Sequence, residues 1–252
     1  HKPQNQPQQK GEVFLFCDEF TNYNDTETGI KAILLLEKLG FKVIITAHEE
    51  SGRTWLSKGL LRKAKEIANK NISLFSKMIS DDTPVIGIEP SAILTFRDEY
   101  IDLANDENFE KAKQLAKNVF TIDEFIASAI DKGLITQDQF TDEPKEILLH
   151  GHCQQKALSS VTYTAKILSL PKNYTVQTVA SGCCGMAGSF GYEKEHYHLS
   201  QQIGELVLFD AVRKKTPNTI VAAPGTSCRH QVKDGTGNRA FHPAEILYDA
   251  LK

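Results

Sequence analysis

Two adjacent cysteines between glycines are the residues of this chain best suited to chemistry. They form the segment Gly182-Cys183-Cys184-Gly185. Neighbouring cysteines are poor disulfide partners, because a disulfide requires Cα atoms about 4.4–6.8 Å apart. Both thiolates can instead bind one metal ion or one iron–sulfur cluster. Gly182 and Gly185 allow positive φ and let backbone N–H groups approach a bound group and its sulfur atoms. The segment therefore predicts a cofactor site.

Two further cysteines are expected at the same place. Cys153 and Cys228 follow predicted strands at residues 146–149 and 219–223, and the cysteine pair follows a predicted strand at residues 174–179. Ligands of open α/β sheets bind outside the carboxyl ends of the strands. We therefore expect Cys153, Cys183, Cys184 and Cys228 to converge on one site. The alternative is a set of scattered buried cysteines, which are common in protein cores.

A similar arrangement occurs earlier in the chain with most of its sulfur missing. Predicted strands at residues 12–16, 42–46 and 85–88 precede Cys17, Ser51 and Ala92. These three residues lie 136, 133 and 136 positions before Cys153, Cys184 and Cys228. A near-constant offset indicates an internal duplication into two lobes rather than a repeat array. Only Cys17 would supply a thiolate in the first lobe, so that lobe is predicted to be structural.

The alternation of strands and helices predicts an α/β fold with two similar Rossmann-like lobes and mostly parallel sheets. Residues 1–10 are polar and rich in proline and glutamine, which is typical of a linker or a tag remnant. We expect the first lobe at residues 11–140, with its ligands mostly lost, and the second at residues 141–252. Apolar spacing predicts one long helix from Leu56 to about Ser76. A second long helix is predicted to run from just after the cysteine pair to about Val212. The positive N-terminal end of its dipole would favour thiolate.

These motifs resemble the cysteine-rich CCG domain family. That family includes the B subunit of heterodisulfide reductase and the iron–sulfur subunits of glycolate and lactate oxidases. The chain is most similar to the C-terminal region of large FAD-linked oxidases of the D-2-hydroxyacid dehydrogenase type. The matching segments span nearly the whole chain: 20–23, 57–61, 89–91, 97–99, 150–153, 181–195, 225–231 and 242–247.

The resemblance implies an electron-transfer role. In that family electrons pass from a hydroxyacid through FAD to iron–sulfur centres and then to an acceptor. It implies an iron–sulfur cluster of the 4Fe-4S type on the four cysteines. It also implies a FAD-binding domain upstream, outside this chain, as the partner. The sequence departs from the family pattern at Glu50-Ser51-Gly52, Ala92 and Ser227. Four thiols remain, which suffice for one ordinary cluster or one zinc ion.

Histidines are the next candidates for ligands. His150 and His152 share one face of an extended strand and Cys153 the other, although a turn at Gly151 allows one of them to join Cys153. His152 and His230 are retained as candidate metal ligands. The remaining expectations are surface positions for His196 and His198, a structural role for His242, and a hydrogen-bonding or charge-pairing role for Arg229.

Composition excludes several functional classes. The 252 residues are 40% hydrophobic and carry a formal net charge of −3, so there is no basic footprint for nucleic acid. No apolar run approaches the ~18 residues of a membrane span. No signal peptide is recognised, so we expect a cytoplasmic setting with reduced cysteines. The count of five cysteines also argues against a disulfide framework.

Three hypotheses remain open at this point. The chain is an iron–sulfur electron-transfer module, a zinc-stabilised interaction domain, or a metal-free scaffold that docks a flavin domain. No flavin fingerprint and no catalytic residue is recognised. We therefore expect the isolated chain to oxidise no 2-hydroxyacid on its own.

Overall fold

A computed structural model describes residues 9–252, so the predicted linker at residues 1–10 lies almost entirely outside the described residues. The first lobe contains a parallel sheet in the order β2-β1-β3-β4. Its strands are β1 (Gly11–Phe16), β2 (Phe41–Ile44), β3 (Val85–Gly87) and β4 (Val119–Thr121). Its helices are α1 (Glu19–Tyr23), α2 (Thr26–Lys38), α3 (Arg53–Ser57), α4 (Leu61–Phe75), α5 (Pro90–Ile93), α6 (Glu99–Leu103), α7 (Phe109–Lys117) and α8 (Ile122–Asp131).

The second lobe repeats this arrangement, with a parallel sheet in the order β6-β5-β7-β8. Its strands are β5 (Lys145–Leu149), β6 (Tyr174–Thr178), β7 (Thr219–Ala222) and β8 (Ala240–Phe241). Its helices are α9 (Cys153–Leu158), α10 (Val161–Leu168), α11 (Tyr197–Glu205), α12 (Leu208–Lys214), α13 (Thr226–Thr236) and α14 (Pro243–Asp249). Single 3-10 turns occupy Leu94–Phe96, Gln137–Gln139 and Phe190–Tyr192.

The predicted fold class, two α/β lobes with parallel sheets, is confirmed. The first three strands of the two lobes begin 134, 133 and 134 positions apart, and the strand order is the same. The lobes pack through α2 against α14 and α8 against α10. Because α2 corresponds to α10 and α8 to α14, these are the same contact made twice, as an internal duplication with a pseudo-twofold predicts.

Both lobes contribute to one hydrophobic core. Leu36 and Ile126 of the first lobe belong to the same buried cluster as Ile147, Leu149 and Leu247 of the second. Burial of apolar area stabilises a fold by about 25 cal/mol per Å², so this shared cluster holds the two lobes together.

Two predicted helices are shorter than expected. The helix expected from Leu56 to Ser76 is interrupted by a turn in which Gly59 has φ 70°. The long helix of the second lobe is two helices, α11 and α12, and Leu206 between them is 78% exposed. Because α11 begins at Tyr197, the prediction that this helix starts just after the cysteine pair is wrong.

None of the helices in the described part of the chain has both the length and the apolar character needed to cross a bilayer.

Candidate metal centre

Four cysteines meet at the carboxyl ends of three neighbouring strands. Cys153 begins α9 after β5, Cys183 and Cys184 lie in the loop after β6, and Cys228 is the third residue of α13 after β7. All four line a cavity of about 590 Å³ between the lobes. The first lobe contributes Arg53, Lys58 and other side chains to its opposite wall.

The four thiols are neighbours in the cavity. Cys183 lies next to Cys153 and Cys184, and Cys184 lies next to Cys228. The neighbouring thiols of Cys153 and Cys184 hold the pKa of Cys183 well below its ordinary value, and the thiol of Cys184 lowers the pKa of Cys228. The pKa values of Cys153 and Cys184 are raised, chiefly by the neighbouring Cys183. A bound metal would take the cysteines as thiolates.

Cys17 lies apart from this group. Its sulfur is 3.9 Å from the Asn22 side-chain oxygen, and its backbone N–H donates to His48 Nε2 at 3.2 Å. Burial raises the pKa of the Cys17 thiol.

The two glycines that flank the cysteine pair differ. Gly185 has φ 106°, and a Cβ there would lie 2.2 Å from the Ser200 carbonyl oxygen. Its N–H donates to Cys183 Sγ at 3.2 Å, as expected of a loop that wraps sulfur. Gly182 is exposed, and a Cβ there would meet open space. Lys156 Nζ donates to the carbonyls of Ser181 (2.7 Å) and Gly182 (2.9 Å), which ties the loop to α9.

His150 is a candidate ligand that the sequence analysis did not select. It is fully buried, and one of its ring nitrogens lies with the sulfurs of Cys184 and Cys228 in a group whose atoms are within 4.8 Å of one another. Its Nδ1 is 2.7 Å from Ser181 Oγ, and its Nε2 has no hydrogen-bond partner among the described residues. Its position directly after the central strand β5 was the available signal.

The histidines that were selected as ligands make other contacts. His152 caps α9, where Nδ1 accepts from the Gln154 N–H at 3.2 Å, and its Nε2 is 3.7 Å from Glu89. His230 Nδ1 is 2.7 Å from the Tyr192 hydroxyl. Both border the cavity, but neither belongs to the compact group formed by His150 and the two cysteines.

His196, His198 and His242 lie where the sequence predicts them. His196 is partly exposed and His198 exposed, in or beside α11. His242 is buried and caps α14, where burial lowers its pKa well below the ordinary value.

The first lobe fixes the helix that carries Cys228. The buried Glu89 accepts from the Thr226 N–H at 2.7 Å. Asp25 accepts from the Thr226 hydroxyl at 2.6 Å and forms an ion pair with Arg229. Arg229 also donates to the Ala223 and Pro224 carbonyls, the loop-donor role expected of it. The start of α13 is therefore held from both lobes.

In the first lobe, the positions that correspond to the cysteines are occupied by Glu19, Ser51 and Ala92. Glu19 begins α1 as Cys153 begins α9, and Ala92 is the third residue of α5 as Cys228 is of α13. The Ser51 N–H and hydroxyl donate to the Glu19 carboxylate at 2.8 and 2.6 Å. The predicted equivalence of Cys17 and Cys153 is therefore wrong. Asp18 and His152 are the equivalent N-caps of α1 and α9, so Cys17 corresponds to Gly151.

Comparison with known proteins finds relatives among dehydrogenases. No family model matches the chain. It is 30% identical over 249 residues to D-2-hydroxyglutarate dehydrogenase of Escherichia coli (strain K12), covering 98% of this chain and 23% of that protein. The same dehydrogenase of Haemophilus influenzae is 26% identical over 247 residues, covering 95% and 23%. The C subunit of the anaerobic glycerol-3-phosphate dehydrogenase of Escherichia coli (strain K12) is 27% identical over 248 residues, covering 98% and 61%. The chain thus spans about a quarter of the length of the first two relatives.

Proposed function

We propose that this chain is the iron–sulfur electron-transfer module of a FAD-linked oxidoreductase that acts on a 2-hydroxyacid. The observation that carries the proposal is that four cysteines line one cavity at the carboxyl edge of the second sheet. Four cysteine thiolates are the usual ligand set of a 4Fe-4S cluster. Cys153, Cys183, Cys184 and Cys228 would hold it, and a bound cluster would accept and release single electrons.

The surrounding residues fit an anionic group. The Gly185 N–H already donates to sulfur at 3.2 Å, and hydrogen bonds of this kind tune cluster potential. The eleven-residue helix α13 begins two residues before Cys228, so its positive end lies beside that thiolate. The first lobe would serve as scaffold, because its equivalent positions hold Glu19, Ser51 and Ala92.

The relatives support the enzymatic context. Two of them are D-2-hydroxyglutarate dehydrogenases, which motivates a hydroxyacid substrate for the whole enzyme. Because the chain spans about a quarter of their length, the flavin and substrate sites would belong to the remainder. The partners would be that FAD-binding domain and an electron acceptor, in the cytoplasm. Membership of the CCG family and a lobe boundary near residue 140 are part of the same proposal.

Anaerobic reconstitution tests the proposal. The chain is incubated with iron and sulfide under reducing conditions, desalted, and analysed for visible absorption, iron, sulfide and zinc. We expect a brown protein with about four irons and four sulfides per chain. A colourless protein with one zinc ion per chain would favour the zinc-stabilised interaction domain, and a protein without metal would favour the scaffold.

A further inference from the structure

We propose that this centre can also hold a single soft metal ion in place of a cluster, and that His150 Nε2 binds that ion together with Cys184 and Cys228. This inference goes beyond the proposed function: it uses two of the same cysteines, but in a 4Fe-4S cluster those cysteines would bind different irons, so the single ion and the cluster are alternative occupants. The notable feature is a buried imidazole nitrogen that has no partner among the described residues and lies beside two thiols.

Because His150 is buried, a ring nitrogen without a partner destabilises the folded protein. A buried polar group without a hydrogen bond destabilises the folded state, and His150 is 0% exposed with Nε2 unpartnered among the described residues. Its neighbours in the compact group are the buried sulfurs of Cys184 and Cys228. A shared metal would satisfy the nitrogen and both sulfurs together.

The second ring nitrogen is held as in known metal sites. Metal-binding histidines usually engage their other nitrogen with a carboxylate, a carbonyl or water, which fixes the tautomer. Here Ser181 Oγ lies 2.7 Å from Nδ1, so an Nδ1–H that donates to this hydroxyl leaves the lone pair on Nε2. The backbone N–H of His150 donates to the Ala222 carbonyl at 2.9 Å, which fixes the residue at the end of β5.

The spacing of the ligand atoms suits a single metal atom. Sulfur and nitrogen bind zinc-like metals at about 2.3 and 2.0–2.1 Å in tetrahedral geometry, which places two such ligand atoms about 3.6–3.8 Å apart. The ligand atoms here lie within 4.8 Å of one another, so a contraction of about 1 Å at most would bring them to one ion. Cys184 and Cys228 also line the cavity, so the remaining coordination position would face Cys183 or the cavity.

Cadmium provides a test that needs no iron. The full chain, labelled with ¹⁵N-histidine and freed of metal under anaerobic reducing conditions, is loaded with one equivalent of ¹¹³Cd²⁺. A direct bond produces scalar coupling between cadmium and one histidine nitrogen. We expect one coupled nitrogen, with the coupling retained in His152→Ala, His230→Ala and the exposed control His198→Ala, and lost in His150→Ala.

A second variant tests the orientation of the ring. Ser181→Ala leaves the ligand in place but frees Nδ1, and we expect cadmium affinity to fall about tenfold. Bound cadmium without any histidine coupling would overturn the inference, as would coupling that disappears in His152→Ala or His230→Ala. A chain that shows the coupling but assembles no iron–sulfur cluster would refute the proposed function and leave the His150 assignment intact.

Discussion

At the scale of single residues, the two glycines that flank the cysteine pair differ in whether a side chain could replace their hydrogen. Gly185 is required by its backbone angle and by the contact a side chain would make with Ser200. Gly182 has neither constraint. Both glycines were expected to contact the cofactor, and the structure distinguishes between them.

We predict different effects of alanine at these two glycines. Gly185→Ala strains the positive φ and pushes against a backbone carbonyl, so it should lower bound metal severalfold and destabilise the fold. Gly182→Ala should retain metal and stability near wild type. Metal content per chain and thermal unfolding measure both, and equal losses in the two variants would contradict this account.

Serine substitutions at the cysteines should separate ligands from bystanders. Cys184→Ser removes a sulfur ligand that lies beside Cys183 and Cys228, and soft metals bind a hydroxyl poorly, so bound iron should fall sharply. Cys17→Ser is the matched control and should leave the iron content unchanged. Loss of iron in Cys17→Ser with retention in Cys184→Ser would mean that the site belongs to the other lobe.

Buried carboxyls should make stability depend on pH. Burial, with help from nearby Glu89, raises the pKa of Asp18 to about 7, and burial raises that of Asp123 to about 6. The folded state then holds more protons than the unfolded state between pH about 4 and about 7. Stability should therefore fall as pH rises through this range, by about 1.4 kcal/mol per unit of pKa shift.

Urea unfolding of the full chain between pH 5 and 8 measures this dependence. Asp18→Asn keeps a side-chain oxygen that can accept from the Phe20 and Thr21 N–H groups, so it should remove part of the slope. An unchanged slope in Asp18→Asn would show that the carboxyl ionises normally in the folded protein.

At the scale of elements, helix α13 links the first lobe to the cysteine site of the second. Its first turn carries Cys228 and is held by Glu89 and Asp25 of the first lobe. The ion pair between Asp25 and Arg229 is mostly shielded from solvent, with side chains 18% and 8% exposed. Side chains of the first lobe therefore help to fix the position of Cys228.

We predict that Asp25→Ala destabilises the protein by about 3–5 kcal/mol, because it leaves the Arg229 charge buried without its partner. Bound iron should decrease as well, because the start of α13 loses an anchor. Asp210→Ala, which breaks the exposed pair with Lys214, is the control and should cost less than about 1 kcal/mol. Similar unfolding free energies for the two variants would mean that α13 is held mainly by other contacts.

Much of this element structure was predictable, and the errors have physical causes. Apolar strands followed by glycine-rich loops predicted the parallel sheets and the meeting of the four cysteines. A turn at Gly151 allowed either His150 or His152 to join the cysteines, and His152 was selected, but in the structure the His152 ring caps α9 and His150 lies beside Cys184 and Cys228. The break between α11 and α12 was missed because Leu206 and Val207 continue the apolar spacing although both are exposed. Glu19 was missed because the lobes were aligned on cysteines rather than on strand ends.

At the scale of the whole molecule, two lobes of the same strand order have different places in the site. The second carries the four clustered thiols, and the first borders the cavity and contacts the start of α13. The helix contacts α2 with α14 and α8 with α10 join the lobes, and the core runs through both.

The shared core predicts that the second lobe does not fold alone. A fragment of residues 141–252 would expose Ile147, Leu149 and Leu247, which belong to the common buried cluster. We expect no cooperative thermal transition by circular dichroism for this fragment, while the full chain unfolds cooperatively. A fragment that melts cooperatively and binds iron as the full chain does would show that the first lobe is dispensable.

The central claim, a cluster on four cysteines of the second lobe, is tested most directly by the Mössbauer spectrum of the chain reconstituted with ⁵⁷Fe and sulfide. We predict that wild type and Cys17→Ser both show iron in one 4Fe-4S cluster per chain, and that Cys184→Ser loses most of that signal. A spectrum with only mononuclear iron, or a cluster signal unchanged in Cys184→Ser, would contradict the account.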